Sequence, residues 1–185
     1  ATELQVCGDA IAELLPREVS LRRWPAGHAL GRAPREASTR FVGASVEGSR
    51  VAFIEASAAR RAQLSLGTLG PAGLTVTQRL PADGDLGAPL LHAGLVFVPH
   101  DGHELLILDS TDGAERARRR SRDDTIRWTR MDAGQVYFGG RRVYALRPGL
   151  ADASSADAVL DPDLALVPAP PFDALLEPVP SSDID

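Results

Sequence analysis

The chain has no lysine and no asparagine; all 20 of its basic residues are Arg. The codon bias of a high-GC bacterial genome accounts for both gaps, and no functional demand for Arg at 20 positions is needed. Cysteine is almost as scarce. Cys7 stands alone, which excludes an internal disulfide and leaves it to read as a small buried residue. Aromatics number five Phe, two Tyr and two Trp, so the core must be aliphatic, and the 44% hydrophobic content supplies it. No run approaches the ~18 consecutive apolar residues of a membrane-spanning helix. Also missing are a phosphate loop, a nucleophile elbow, a zinc-protease helix and a dinucleotide fingerprint.

What is present is a repeat. Ser49-Arg-Val-Ala-Phe-Ile54, Gly94-Leu-Val-Phe-Val98 and Gly134-Gln-Val-Tyr-Phe138 share one strand pattern, with Val51, Val96 and Val136 at equivalent places, 45 and 40 residues apart. Periods of that size mark stacked supersecondary units, each too small to bury its own apolar face. Leu66, Leu108 and Leu146 follow at steps of 42 and 38. Each unit therefore reads strand, short turn, strand, Gly-bearing turn. Asp101-Gly102 between two β-rich runs is a two-residue hairpin signal, and Gly139-Gly140 is expected to serve alike in the third unit. Leu74–Leu80 and Thr125–Thr129 add extended runs between units. Three to four strands per roughly 40 residues is what a propeller blade requires.

Gly94-Leu-Val-Phe-Val-Pro-His-Asp-Gly-His-Glu-Leu-Leu-Ile-Leu-Asp-Ser-Thr-Asp-Gly113 resembles a blade of the pyrroloquinoline-quinone-like (PQQ-like) β-propeller repeats. Gly134-Gln-Val-Tyr-Phe-Gly-Gly-Arg-Arg-Val-Tyr-Ala-Leu-Arg-Pro-Gly149 follows the same pattern, while residues 41 to 70 match it loosely. Two positions depart: Arg116-Ala-Arg-Arg replaces the Trp expected after Gly113, and Arg147 stands where Asp is usual. The resemblance implies an all-β fold, a partial or small propeller of about three blades, with a twisted β-meander or sandwich as the alternative. It also implies a bacterial periplasmic or cell-surface setting. The start at Ala1 is compatible with a removed signal peptide or with a fragment, and Leu4-Gln-Val-Cys7 is only faintly similar to a lipoprotein cleavage box. Closed propellers need about four to eight blades. Three would leave sheet edges open, which soluble proteins avoid.

Three regions emerge: an N-terminal segment (1–40) with loose strands from Glu18–Trp24 to Arg40–Gly43, the repeats (41–149), and an acidic tail (150–185). The tail carries eight acids, no base and six prolines, a charge of −8 against +3 for the remainder. Such proline density forbids regular helix and favours extended structure. Ordering it costs roughly 1–2 kcal/mol per residue, so it reads as a docking arm anchored through Leu164, Leu166, Val167, Phe172, Leu175 and Leu176.

Candidate sites are few. His100 and His103 flank the Asp101-Gly102 turn, with His92 near in sequence, and are weak candidates for a metal site; a solvated turn is the plainer reading. The basic run Arg116, Arg118, Arg119, Arg120 and Arg122 suits an acidic partner or a solvated outer strand. Neighbouring Asp123-Asp124 and the net charge of −5 argue against nucleic acid. Asp109-Ser-Thr-Asp112-Gly113 is an acidic loop best explained by a self-capped turn. The expectation is a scaffold or assembly subunit of a bacterial envelope complex, without catalytic residues, cofactor or small-molecule substrate, binding other protein subunits. The alternative is part of a periplasmic quinone-dependent oxidoreductase. That reading needs a Trp floor, and neither Trp24 nor Trp128 lies in a cofactor motif.

Overall fold

The computed structural model describes residues 3–7, 10–15, 17–23, 27–34, 39–57, 61–121, 125–132, 135–141 and 143–146. Every regular element among them is a β-strand, arranged in four antiparallel meanders. Sheet 1 comprises β1 (Glu3–Cys7), β2 (Ala10–Leu14), β3 (Glu18–Arg23) and β4 (Ala29–Pro34). Sheet 2 comprises β5 (Thr39–Glu47), β6 (Arg50–Ser57), β7 (Arg61–Gly70) and β8 (Gly73–Asp83). Sheet 3 comprises β9 (Leu90–His92), β10 (Leu95–His100), β11 (Glu104–Asp109) and β12 (Glu115–Arg120). Sheet 4 has three strands, β13 (Trp128–Asp132), β14 (Gln135–Gly139) and β15 (Val143–Ala145).

The repeat maps onto this architecture directly. Val51, Val96 and Val136 all lie on the second strand of their sheets, β6, β10 and β14. Leu66 and Leu108 lie on the third strands, β7 and β11, where Val96 pairs with Leu108; Leu146 falls just past β15, and its amide donates to the Val136 carbonyl. The sheets number four, because the N-terminal segment builds a complete sheet of its own. Within it, Glu18–Arg23 is β3 as expected, whereas Arg40–Gly43 belongs to β5 of the next sheet. The short strand β2, Ala-Ile-Ala-Glu-Leu, lacks the β-branched alternation that marks the other second strands, which is why the sequence pattern did not disclose it.

Successive sheets meet through their first strands: β1 touches β5, β5 touches β9, and β9 touches β13. No comparable contact among the described residues joins β13 back to β1. The middle strands of sheets 2 and 3 are buried on both faces and read as continuous apolar runs. On β6, Val51 and Phe53 pack toward sheet 1 while Ala52 and Ile54 pack toward sheet 3. On β10, Val96 and Val98 join the sheet 2 side, and Leu95 and Phe97 join the sheet 4 side. Three apolar layers therefore hold four sheets.

Turn chemistry fixes the register. Asp101 (φ 47°) and Gly102 (φ 72°) both adopt the left-handed region, and the His103 amide donates to the His100 carbonyl at 3.2 Å. Asp101 and Gly102 thus make a primed turn, as the Asp-Gly pair predicts, but His100 pairs with Glu104, so the hairpin loop has three residues, Asp101 to His103, and not two. In the third unit, Gly139 is the last residue of β14, and the turn begins at Gly140. The Asp109 loop closes on itself: Asp109 Oδ1 accepts from the Thr111 amide (2.7 Å), Asp112 Oδ1 accepts from the Ala114 amide (2.8 Å), and Gly113 has φ 72°. No helix among the described residues is long and apolar enough to cross a membrane.

Candidate functional site

The junction between sheets 2 and 3 is closed near its first strands and open farther out. At the closed side, the Leu91 amide donates to Ser45 Oγ (2.9 Å) and the Ala93 amide to Glu47 Oε1 (2.9 Å). Arg50 Nη1 reaches Ser110 Oγ at 2.5 Å. At the open side, the sheets diverge around a groove of about 330 Å³. Leu64, Leu80, Leu86, Val98, Leu106 and Leu108 line it, together with Asp83, His100, Glu115 and Arg118. The junction between sheets 1 and 2 has its outer strands, β4 and β8, in contact instead. There Gly31 lies so close to Leu74 that a Cβ on Gly31 would come within 2.4 Å of the Leu74 nitrogen.

Polar chemistry at the groove converges on Glu104. It stands opposite His100 in the β10–β11 register, and opposite Arg120 in the β11–β12 register. Glu104 Oε2 accepts from Arg118 Nη1 at 2.8 Å and lies 2.9 Å from His100 Nδ1, while Arg120 Nε is 3.7 Å from Oε1. Arg118 also grips Glu115 with two bonds, of 3.0 and 2.8 Å. Burial tends to raise the Glu104 pKa, but the bonds from His100 and Arg118 outweigh it and hold the carboxyl below the ordinary range. The bidentate bond to Glu115 raises Arg118 further. Arg116 pairs with Asp109 at 2.8 Å, which with the Thr111 amide lowers the Asp109 carboxyl to about 2.

The arginine run therefore lies on β12, the edge strand of sheet 3, with its own counterions beside it. Arg116, Arg118 and Arg120 face Asp109, Glu115 and Glu104, while Arg119 turns inward, 4% exposed, its charge disfavoured by burial. Arg122 lies outside the described residues. The run is an outer strand, as one of its two readings has it; cross-strand register, invisible in a linear reading, sets Asp109, Glu115 and Glu104 beside Arg116, Arg118 and Arg120. The histidine pair is taken apart. His100 has one ring nitrogen on Glu104 and the other 3.0 Å from the Asp83 carbonyl oxygen, so neither is presented to a metal. His103 is exposed on the turn, and His92 lies 3.6 Å from Glu47 at the other end of the junction. Among the described residues no group of three or more His, Cys, Asp or Glu is placed to hold a metal ion. Leu164, Leu166, Val167, Phe172, Leu175 and Leu176 of the tail lie outside the described residues, as does Trp24.

A second feature, absent from the sequence reading, is the outer face of sheet 4. Val136, Phe138 and Tyr144 point to sheet 3. By strand alternation and register, Trp128, Tyr137, Val143 and Ala145 share the opposite face, and no described strand packs there. All four are half-buried. Alternation of Trp128 with Thr129 and of Tyr137 with Val136 and Phe138 was the available signal, but a hydrophobic residue on both faces of β14 conceals which side is inner.

These meanders, joined face to face through their first strands, define an all-β, propeller-like protein. The comparisons agree on the fold alone. The chain is similar to a computationally designed protein called Ika8 (TM-score 0.56, 11% identity) and to the Pan2 WD40 domain of Neurospora crassa (TM-score 0.54, 9% identity). Each likeness covers 78% of this chain and 47% of the other, so the chain spans about half the length of these structures. No family model and no curated protein matches the chain.

Proposed function

We propose that the protein is a non-catalytic, propeller-like scaffold that works by binding other protein subunits, in a bacterial cell-envelope assembly of PQQ-like propeller modules. The observation that carries this reading is the end of the arc: among the described residues, sheet 4 presents Trp128, Tyr137, Val143 and Ala145 on a face that no strand covers. At the other three sheet junctions the equivalent positions are packed against a neighbouring sheet. Aromatic residues on a flat sheet face supply large contact area at low conformational cost, as binding surfaces do. The tail anchors Leu164, Leu166, Val167, Phe172, Leu175 and Leu176 are assigned to the same partnership. The envelope setting rests on the repeat resemblance and the codon bias.

The test is native mass spectrometry of the chain purified from its bacterial source, beside a Tyr137→Glu variant expressed in the same way. The reading expects wild-type material in a complex heavier than 19.6 kDa, with a defined stoichiometry, from which the variant is lost while still folding. A wild-type chain found only as a 19.6 kDa monomer overturns it.

A further inference from the structure

At the open end of the junction, the imidazole of His100 ties the end of sheet 2 to sheet 3. Its Nδ1 lies 2.9 Å from Glu104 Oε2 on β11, within its own sheet. Its Nε2 lies 3.0 Å from the carbonyl oxygen of Asp83, the last residue of sheet 2. Residues 84–89 then cross to sheet 3 strapped along the end of β10. Leu86 bridges His100, the Asp85 amide donates to Asp101 Oδ1 (2.9 Å), the Asp101 amide donates to the Asp85 carbonyl (2.8 Å), and the Gly87 amide donates to the Pro99 carbonyl (2.8 Å). The His100 side chain is only 13% exposed and lines the groove beside Asp83.

The chemistry of this bracket depends on the proton count. A carbonyl oxygen and a carboxylate only accept, so both contacts are hydrogen bonds only when both ring nitrogens carry hydrogen. Neutral imidazole has one N–H. Losing the second proton leaves a ring lone pair facing an oxygen lone pair at about 3 Å. We propose that His100 is a proton-operated clasp: charged, it holds the connector 84–89 and the groove rim to sheet 3; neutral, it lets them go. This inference does not rest on the scaffold reading.

The surrounding charges favour the clasped form. Asp83 and Asp85 approach from the sheet 2 side, Asp101 and His103 from the turn, Glu104 from β11, and Glu115, Arg118 and Arg120 from β12. Asp101 Oδ2 is 3.6 Å from His100 Nε2. Burial opposes the imidazolium, but the Asp83 carbonyl, Glu104 and Asp101 together raise His100 above its ordinary 6.5. A raised imidazole contributes fully below 6.5 and loses its contribution as pH rises through the higher folded value. Glu104, depressed below its ordinary 4.5, contributes above that value and loses its contribution only as pH falls through the lower folded value. The clasp is therefore complete from mildly acidic pH up to 6.5, and opens as pH rises through the higher folded value of His100.

Two linked NMR measurements on the full chain decide the matter: the imidazole titration of His100, and amide protection at Asp85 and Gly87 across pH 5 to 9, corrected for intrinsic exchange. The clasp expects a His100 midpoint above 6.5 and a loss of protection of roughly fivefold over the same midpoint, the equivalent of one net hydrogen bond. His100→Gln keeps a donor but cannot titrate, and should show a flat protection profile; His103→Gln should keep the wild-type profile. A midpoint at or below 6.5, or protection unchanged while His100 titrates, overturns the proposal. So does a wild-type profile in His100→Gln. Should His100→Gln fail to fold, the wild-type pair of measurements is decisive alone.

Discussion

The two ends of the arc are finished differently. On the outer face of sheet 1, Glu13, Glu18, Ser20, Arg22 and Arg32 share one side of the pleat with Ile11, opposite the core-facing Ala12, Val19, Leu21 and Ala33. Arg22 Nε meets Glu13 Oε2 at 3.3 Å, and Arg32 Nη1 meets Glu18 Oε1 at 3.1 Å, each pair joining neighbouring or next-neighbouring positions across the strands. On the outer face of sheet 4 the corresponding side carries Trp128, Tyr137, Val143 and Ala145, with Arg130 directly opposite Tyr137 and Asp132 opposite Gln135. The first face carries matched ion pairs around the buried Ser20. The second sets half-buried aromatic and aliphatic side chains beside exposed Arg130 and Asp132. Among the described residues the arc is therefore asymmetric: the outer face of sheet 1 carries ion pairs, and that of sheet 4 carries aromatic side chains. That asymmetry also argues against two copies closing head to tail, since an ion-paired face would have to cover an aromatic one.

The largest expected effect sets a buried aromatic against an end-face aromatic. Phe53, 1% exposed between sheets 1 and 2, should lose about 3–5 kcal/mol on replacement by Ala. Tyr137→Ala in the isolated chain should lose less than about 1 kcal/mol. Urea unfolding monitored by circular dichroism measures both. If Tyr137→Ala were as costly as Phe53→Ala, the sheet 4 face would be an ordinary core layer and the asymmetry would vanish. Next comes the closed junction. Gly31→Val would drive a Cβ into the Leu74 backbone at 2.4 Å, and should cost about 1–3 kcal/mol through overpacking. Gly102→Ala, in the sheet 3 hairpin, finds open space and suffers only the strain of its φ of 72°. A milder loss at Gly31 than at Gly102 would mean that sheets 1 and 2 are not locked together at their outer strands.

Much of the framework was legible in the sequence, and the reasons are physical. Val51, Val96 and Val136 recur because each sits on the second strand of its sheet at a position buried against the preceding sheet, so the signature survives in a linear reading. Asp101-Gly102 announced its turn because only residues tolerant of φ > 0 fit there. Of the first sheet only Glu18–Arg23 reads as extended in the sequence; Ala10–Leu14 escapes notice because it packs the small Ala12 into the core. The candidate sites fared worse. An arginine run looks like a patch until the register places Glu104 beside Arg118 and Arg120, 14 and 16 positions away in the chain. The same register turns His100 from a possible ligand into a donor already committed to Glu104 and Asp83. Spacing along a chain carries the period of a sheet, but not which side chains meet across it.

The smallest effect tests the finished end. A double-mutant cycle on Glu13 and Arg22, using Glu13→Gln and Arg22→Gln with stability measured at low and moderate salt, should give a coupling of about 0.2–1 kcal/mol that shrinks as salt rises. The reasoning is geometric. The pair is single-bonded at 3.3 Å, and the Arg22 side chain is 44% exposed, so water competes for both groups and the guanidinium gives up rotamer freedom to hold the contact. A coupling well above 2 kcal/mol that ignored salt would have a different cause: a pair shielded from solvent. Sheet 1 would then be covered by another body, and both ends of the arc, not one, would be interfaces. A small, salt-sensitive value leaves Glu13 and Arg22 as surface chemistry and confines the search for a partner to the face carrying Trp128 and Tyr137.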